Sequence, residues 1–524
     1  MKSFRKKTSI IKFILFVFIF FSGIFFQRYG VYGEYIYPLF ENYIFKYYEY
    51  QLKGLKPLDK INISITKKNY SKFEKSRKLA IKFKRNYRTH SENPGYIDAK
   101  LLTETQEKIP IKFKLTGGRA VHYNNPDKKY SLKIKSINNF KGFTKFSLLN
   151  PPARHFLNEW FFHKFNSYNQ LISDKFEFVK VYINNKYKGI YSFEGYPNQC
   201  ITEVNSKKLS PIFCYDADVA WNLTSELDII PAQLEIFKRG NLKPLIKKNI
   251  INENPKLQQL YSLAFKKMEL FKDGKIKLNE VFNLDKMAML FAETTLFGDF
   301  HSLGLWNLKF YLNPETLLVE PIPFDQTYIT KKMSIRNVLL PYKEDTSKIN
   351  MSFKDRFLSD TGFYRKYIKN TSRLCEKYYL EKFIKTIEKE KKDLEKVLNI
   401  EYSKYNFNLV LDKIIYNRDF IKSFFNGNQL INVSLNKKIN NKKLKLSFEN
   451  NFISPVKLVS VIINKERIPV NLFMLPYFNE VKYFKEFRII DEKDVNISLE
   501  YKIFGIENIK VSKFKLKNSI LYSI

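Results

Sequence analysis

Across residues 61–200, apolar side chains recur at every second position. "INISI", "KLAIKFK", "IPIKFKLTGG", "YSLKIKSI" and "FVKVYINNKYKGIYSFEG" all alternate in this way and are separated by turn residues. A period of two suits a pleated strand with one covered face. "VYINNKYKGIYSFE" predicts a hairpin, because two β-rich runs flank Asn184, Asn185 and Lys186. One stretch breaks the pattern: "ARHFLNEWFFHKFNSY" has helical apolar spacing and predicts a single inserted helix.

From about residue 230 to 425 the period becomes helical. "NLDKMAMLFAETTLFG" is apolar nearly all round and predicts a buried helix, with Asn283 or Asp285 as N-cap and Gly298 just past its end. Beyond residue 428 alternation returns in "LKLSFENN", "VKLVSVIIN", "DVNISLEYKIF" and "IKVSKFKLK". A chain of 524 residues is too long for one core. The expected division is a β-rich segment 59–200, a mainly helical segment 201–427 and a small all-β, sandwich-like domain 428–524.

The N-terminus opens with Lys2, Arg5, Lys6 and Lys7, followed by an apolar run to Phe26. That run is about long enough to cross a bilayer core of roughly 30 Å at 1.5 Å per residue. Residues 1–30 are expected to be an uncleaved signal anchor, with a cleaved signal peptide as the alternative, and 31–58 a tyrosine-rich juxtamembrane segment. The basic cluster stays inside, which places the bulk of the chain outside the cytoplasm.

Ninety-one Lys+Arg against 52 Asp+Glu give a formal charge of +39. Such a chain attracts polyanions. Lys, Asn, Ile, Phe and Tyr are enriched together, as AT-rich coding would also produce. No zinc-finger spacing, RNP-like motif or basic region before heptads is present, so nucleic acid is not the expected partner. Three cysteines do not make a disulfide framework. Cys200 and Cys214 could pair outside the cytoplasm, but free, partly buried thiols are expected. Five histidines without HExxH or Cys/His clusters argue against zinc.

The chemistry-bearing stretch is "GDFHSLGLWNLKFYLNPETLLVEPIPFD", residues 298–325. Asp299 follows directly on the buried helix. "NLKFYL" reads as a strand, "NPET" as a turn and "LLVEPIPF" as the returning strand. Asn307 and Asp325 then fall at the same end of an antiparallel hairpin, where the loop bearing Asp299 also enters. Two carboxylates and an amide oxygen suit Mg²⁺-assisted phosphoryl transfer, with one Asp taking the acceptor's proton and the Asn and second Asp supplying hard oxygen ligands. Each residue alone is equally a common cap or turn residue.

This stretch resembles the CotH-type (spore-coat protein H-like) atypical kinases, which show an Asp, a short loop, "N-x-x-x-Y", a turn often reading "NPET/G" and "IPWD". "TGGRAVHYNNPDKKYSLKIK", "FKGFTKFSLLNPP" and "KVYINNKYKGIYSFEGY" resemble upstream segments of the same family in the same order, so the likeness covers roughly residues 110–330. The resemblance implies a divergent, two-lobed, protein-kinase-like α+β fold, with ATP and Mg²⁺ between a β-rich N-lobe and a helical C-lobe. It makes Asp299 the catalytic acid and Asn307 and Asp325 the metal ligands. Lys133 and Glu194 would be the phosphate-binding lysine and its partner carboxylate, with Arg119 and His122 as further phosphate contacts. The implied function is a membrane-anchored kinase acting on a protein or cell-envelope acceptor. Thr327 stands where the family often has a second acid, and Phe324 where it has Trp. The alternative is therefore an inactive pseudokinase scaffold in envelope or coat assembly, binding acidic polymers or coat proteins.

Overall fold

The computed structural model describes residues 58–102, 107–125, 129–217, 229–326, 328–331, 339–343, 351–402, 406, 408–427, 430–439, 443–476, 481–488, 494–517 and 520–523. Residues 59–388 with 406–524 form one compact unit. Residues 1–58 and 389–405 form another, of which little more than the end of the helix Lys377–Asn399 is described. The expected signal anchor, juxtamembrane segment and Thr327 lie outside the described residues. Among the described residues, no helix is long and apolar enough to cross a membrane.

Seven strands, β1 (Lys60–Ser64), β2 (Ile97–Leu102), β3 (Lys108–Leu115), β4 (Leu132–Phe140), β5 (Phe143–Leu149), β6 (Phe176–Ile183) and β7 (Lys186–Gly195), close into a barrel of order β1-β2-β3-β4-β5-β7-β6. The seam is the parallel pairing of β1 with β6, in which Ile61 faces Val181 and Ile63 faces Ile183. Alternation decides which side chains turn inward. Phe113, Leu132, Ile134, Phe146, Leu148 and Phe193 fill a common core, and Lys114, Lys133, Lys145 and Ser147 fall on the other parity. The two-residue turn Asn184–Asn185 joins β6 to β7 with both residues at positive φ, as a tight primed hairpin requires.

Helix α1 (Lys67–Phe83) packs Phe73, Leu79 and Ala80 into that core. The "KLAIKFK" run, expected as a strand, is its last turns. The run's local alternation is overridden by the longer 3.6-residue spacing of Phe73, Ser76, Leu79 and Ala80, and by Thr66, whose side chain caps the Asn69 N–H. Helix α2 (Leu157–Tyr168) is the expected inserted helix, preceded by a 3₁₀ turn at Pro151–Arg154.

A second sheet of order β11-β10-β8-β9 is formed by β8 (Ile212–Tyr215), β9 (Leu242–Pro244), β10 (Lys309–Leu312) and β11 (Val319–Ile322). Helices surround it, among them α3 (Pro255–Lys272), α4 (Leu284–Phe297), α5 (Thr361–Leu374) and α6 (Leu409–Asn426). Helix α4 is buried nearly throughout. Asn283 accepts from the Lys286 N–H at its start, and Gly298 closes it in the left-handed region at φ 68°. The C-terminal residues carry two sheets. One, β12-β13-β16, comprises β12 (Ile431–Ile439), β13 (Lys443–Asn450) and β16 (Tyr483–Arg488). The other, β15-β14-β17-β18-β19, comprises β14 (Val456–Ile463), β15 (Glu466–Met474), β17 (Asp494–Ile503), β18 (Lys510–Lys517) and β19 (Ile520–Ser523).

This architecture corrects the expected fold. The described residues are α+β, built on a closed seven-stranded barrel with three further sheets, and not the expected two-lobed kinase-like arrangement. The reason is long-range. β1 returns to β6 across more than a hundred residues and seals an edge that alternation alone leaves open, and the supposed helical lobe carries a sheet of its own.

Candidate functional site

The β10–β11 hairpin sets the site. Lys309 pairs with Ile322, so Asn307 and Asp325 lie just beyond the same end of the ladder. Helix α4 delivers Asp299 there directly after Gly298. Thr330 fastens this exit by donating to the Gly298 carbonyl at 2.6 Å, and Asn417 of α6 donates to the carbonyls of Leu296 and Thr330.

The three oxygen-bearing residues meet around the turn at His301. Asp299 Oδ1 accepts from the His301 N–H at 2.8 Å, and Asn307 Nδ2 donates to the His301 carbonyl at 3.1 Å. His301 Nε2 lies 3.8 Å from Asp325 Oδ2. The fully buried Gln326 ties the group together. Its Nε2 donates to the carbonyls of Asp299 and Tyr328, both at 3.0 Å, and its Oε1 accepts from the Ser302 N–H at 3.1 Å. Its main-chain N–H donates to Glu159 of α2 at 3.1 Å.

Glu194 does not pair with Lys133. Its carboxylate takes a two-pronged contact from Arg154, Nε to Oε1 at 2.9 Å and Nη2 to Oε2 at 3.0 Å, while Arg154 Nη1 donates to Asp325 Oδ1 at 2.7 Å. One guanidinium thus joins the barrel to the hairpin. Burial works against its charge, but Asp325 and Glu194 outweigh it and hold Arg154 firmly cationic. Both ends of the bridge rest on unusual backbone: His155 and Phe156, directly after Arg154, and Asp325 itself all have positive φ.

Lys133 stands in the same barrel row as Glu194, through Ser147. Its neighbours are other lysines. Lys133 Nζ lies 4.4 Å and Lys145 Nζ 3.5 Å from the Tyr196 ring centroid, and Lys309 reaches the Trp306 carbonyl at 2.8 Å. Burial, then Lys145 and Lys114, push the Lys133 amine far below its usual range. Burial lowers Lys145 to about 8 and also lowers Lys309. Among the described residues, no carboxylate lies within salt-bridge distance of these three ammonium groups. Burial without a counter-ion favours the neutral amines, and an anion bound beside them would hold them charged.

Arg119 is exposed and hydrogen-bonds Tyr328 Oη and the Ala153 carbonyl. His122 is buried, lies 2.9 Å from Ser131 Oγ, and is lowered to about 3 by burial and Arg154. It is held as a neutral imidazole and brings no charge to a phosphate. Gly117 arches over it at φ 92°, where a side chain would collide with the ring.

Among the described residues, no three His, Cys, Asp or Glu side chains are clustered to hold a metal. Carboxylate and amide oxygens are hard donors of the kind Mg²⁺ takes, alongside waters and phosphate oxygens. The three cysteines are buried and free. A cavity of about 590 Å³ lies elsewhere, lined by Phe271, Lys275, Lys277, Arg356 and Asp360 among others, and none of the residues above borders it.

Sequence reasoning missed Arg154, Gln326, Lys145, Lys309 and Tyr196. Arg154 sat in a stretch read only as helix. Lys145 had a usable signal, since it shares strand parity with Ser147 and therefore with Lys133. Compared with known proteins, the chain matches no family model and no curated protein.

Proposed function

We propose that this chain transfers a phosphoryl group from Mg²⁺-bound ATP to a protein or cell-envelope acceptor, at the face where the barrel meets the β10–β11 hairpin. The observation that carries the reading is the trio Lys133, Lys145 and Lys309, buried amines without a carboxylate in salt-bridge range that a bound anion would hold charged, with Lys309 feeling the charge of Asp325. The resemblance of residues 110–330 to CotH-type kinases supports the same assignment. In this reading Asp299 accepts the acceptor's proton, Asn307 and Asp325 hold Mg²⁺, and the lysines hold the phosphates, with Arg119 at the margin. Arg154, and not Lys133, is the partner of Glu194. The chain would be anchored in the cell membrane by a helix within residues 1–30, with its bulk outside the cytoplasm.

A second reading is an inactive scaffold that binds acidic polymers. It is favoured by one contact, the Arg154 guanidinium already on Asp325. The full-length protein in detergent decides between them by Mg²⁺-dependent ATP binding and autophosphorylation. Asp299→Ala should abolish transfer while leaving ATP binding, and Asp325→Ala should remove the Mg²⁺ dependence. ATP binding and transfer untouched by both substitutions would sink the assigned site, and no ATP binding at all would leave the scaffold.

A further inference from the structure

The outward parity of β3, β4 and β5 places lysine opposite lysine. In register, Lys112 faces Lys135, Lys135 faces Lys145, and Lys114 faces Lys133. Like charges directly opposite on neighbouring strands oppose pairing. Here three such pairs share one face. Two tyrosines at its borders carry the ammonium groups. Lys114 Nζ and Lys135 Nζ lie 4.9 and 4.3 Å from the Tyr96 ring centroid, and Lys133 and Lys145 cover Tyr196. The acids nearby leave this charge uncompensated: Asp98 reaches only Lys112, at 3.7 Å on the exposed rim, and Glu194 is committed to Arg154. Burial, then Arg88 and Lys135, lower the Lys114 amine, as expected where ammonium groups are crowded without a counter-ion.

We propose that this face docks an extended acidic polypeptide segment and leads it to the Asp299 site; its role as the phosphoryl acceptor, though not its binding, rests on the function proposed above. The spacing fits a peptide. Lys112 and Lys114, like Lys133 and Lys135, are two residues apart on a strand, roughly 6.6 Å. Alternate side chains of an extended chain repeat at the same interval, so acids at every second position meet the two lysine rows. Nucleic acid fits poorly, because stacking needs open aromatic faces and both tyrosine rings are covered by ammonium groups.

The test uses the full-length protein without ATP or Mg²⁺ and a fluorescent peptide with glutamate at alternate positions. Lys112→Gln/Lys114→Gln/Lys135→Gln should weaken binding by about tenfold, as loss of several weak surface ion pairs implies. The same charge change at exposed positions of the helix Lys377–Asn399, Lys377→Gln/Lys382→Gln/Lys385→Gln, should change it less than about twofold. The face variant should also melt no lower than wild type, since it removes opposed charges, and this excludes misfolding as the cause. Equal losses in both variants, unchanged affinity in the face variant, or binding of inorganic polyphosphate but not the peptide would overturn the proposal. Loss of phosphoryl transfer with peptide binding intact would count against the proposed function and not against this face.

Discussion

Arg154 is the residue on which the site's charge balance turns. Removing it strands Glu194, which is 2% exposed, and frees Asp325. Arg154→Ala should cost about 3–5 kcal/mol in chemical denaturation, the range for breaking a buried ion pair from one side. Arg154→Lys should recover only part of this, because an ammonium cannot make the two-pronged contact. Gly117 carries a different constraint. Gly117→Ala adds a β-carbon at φ 92° against the His122 ring, and should destabilise by about 1–3 kcal/mol. Asp174 supplies a pH signature. Burial pushes its carboxyl up to about 7, while the unfolded chain titrates near 4. Between those values the folded state holds the extra proton. Stability therefore falls as pH rises from about 4 to about 7, by at most roughly 4 kcal/mol. Asp174→Asn should abolish that part of the fall, read as the difference in denaturation midpoint between pH 5 and pH 8.

At the scale of elements, the barrel seam depends on a turn. Asn184 accepts from the Ile65 N–H at 2.8 Å and donates to the Ile65 carbonyl at 2.9 Å, and Asn62 Nδ2 reaches Asn185 Oδ1 at 2.6 Å. The β6–β7 turn therefore latches the end of β1. Asn184→Gly keeps the positive φ but loses both side-chain bonds. It should cost about 1–2 kcal/mol, with faster amide exchange confined first to β1 and β6. Sequence reasoning saw the hairpin, because Asn-Asn between β-rich runs is a local signal. The latch was invisible, because Ile65 lies 119 residues away. Helix α4 shows the reverse case. Its cap at Asn283, its apolar circumference and its end at Gly298 are all written locally, so the mount of Asp299 was legible throughout.

For the whole molecule, the +39 charge takes on structure only where it is concentrated. The β3–β5 face collects lysines in register. Location is a separate prediction that rests on the N-terminal residues. A reporter fused after Ile524 should be active outside the cytoplasm and silent inside it. Cytoplasmic activity would overturn the anchor and, with it, the case for an envelope acceptor.

By itself the sequence determined what short-range physics can write. Period-two and helical runs located most elements, caps bounded α4, and hairpin topology alone brought Asn307 and Asp325 to the end at which Asp299 enters. Tertiary structure decided the rest. It closed the barrel through β1 and β6, made "KLAIKFK" the last turns of a helix, and gave Glu194 to Arg154 and not to Lys133. Strand parity fixes which face a side chain takes, but charges choose partners by distance and burial, and those exist only once residues far apart in the chain have packed together.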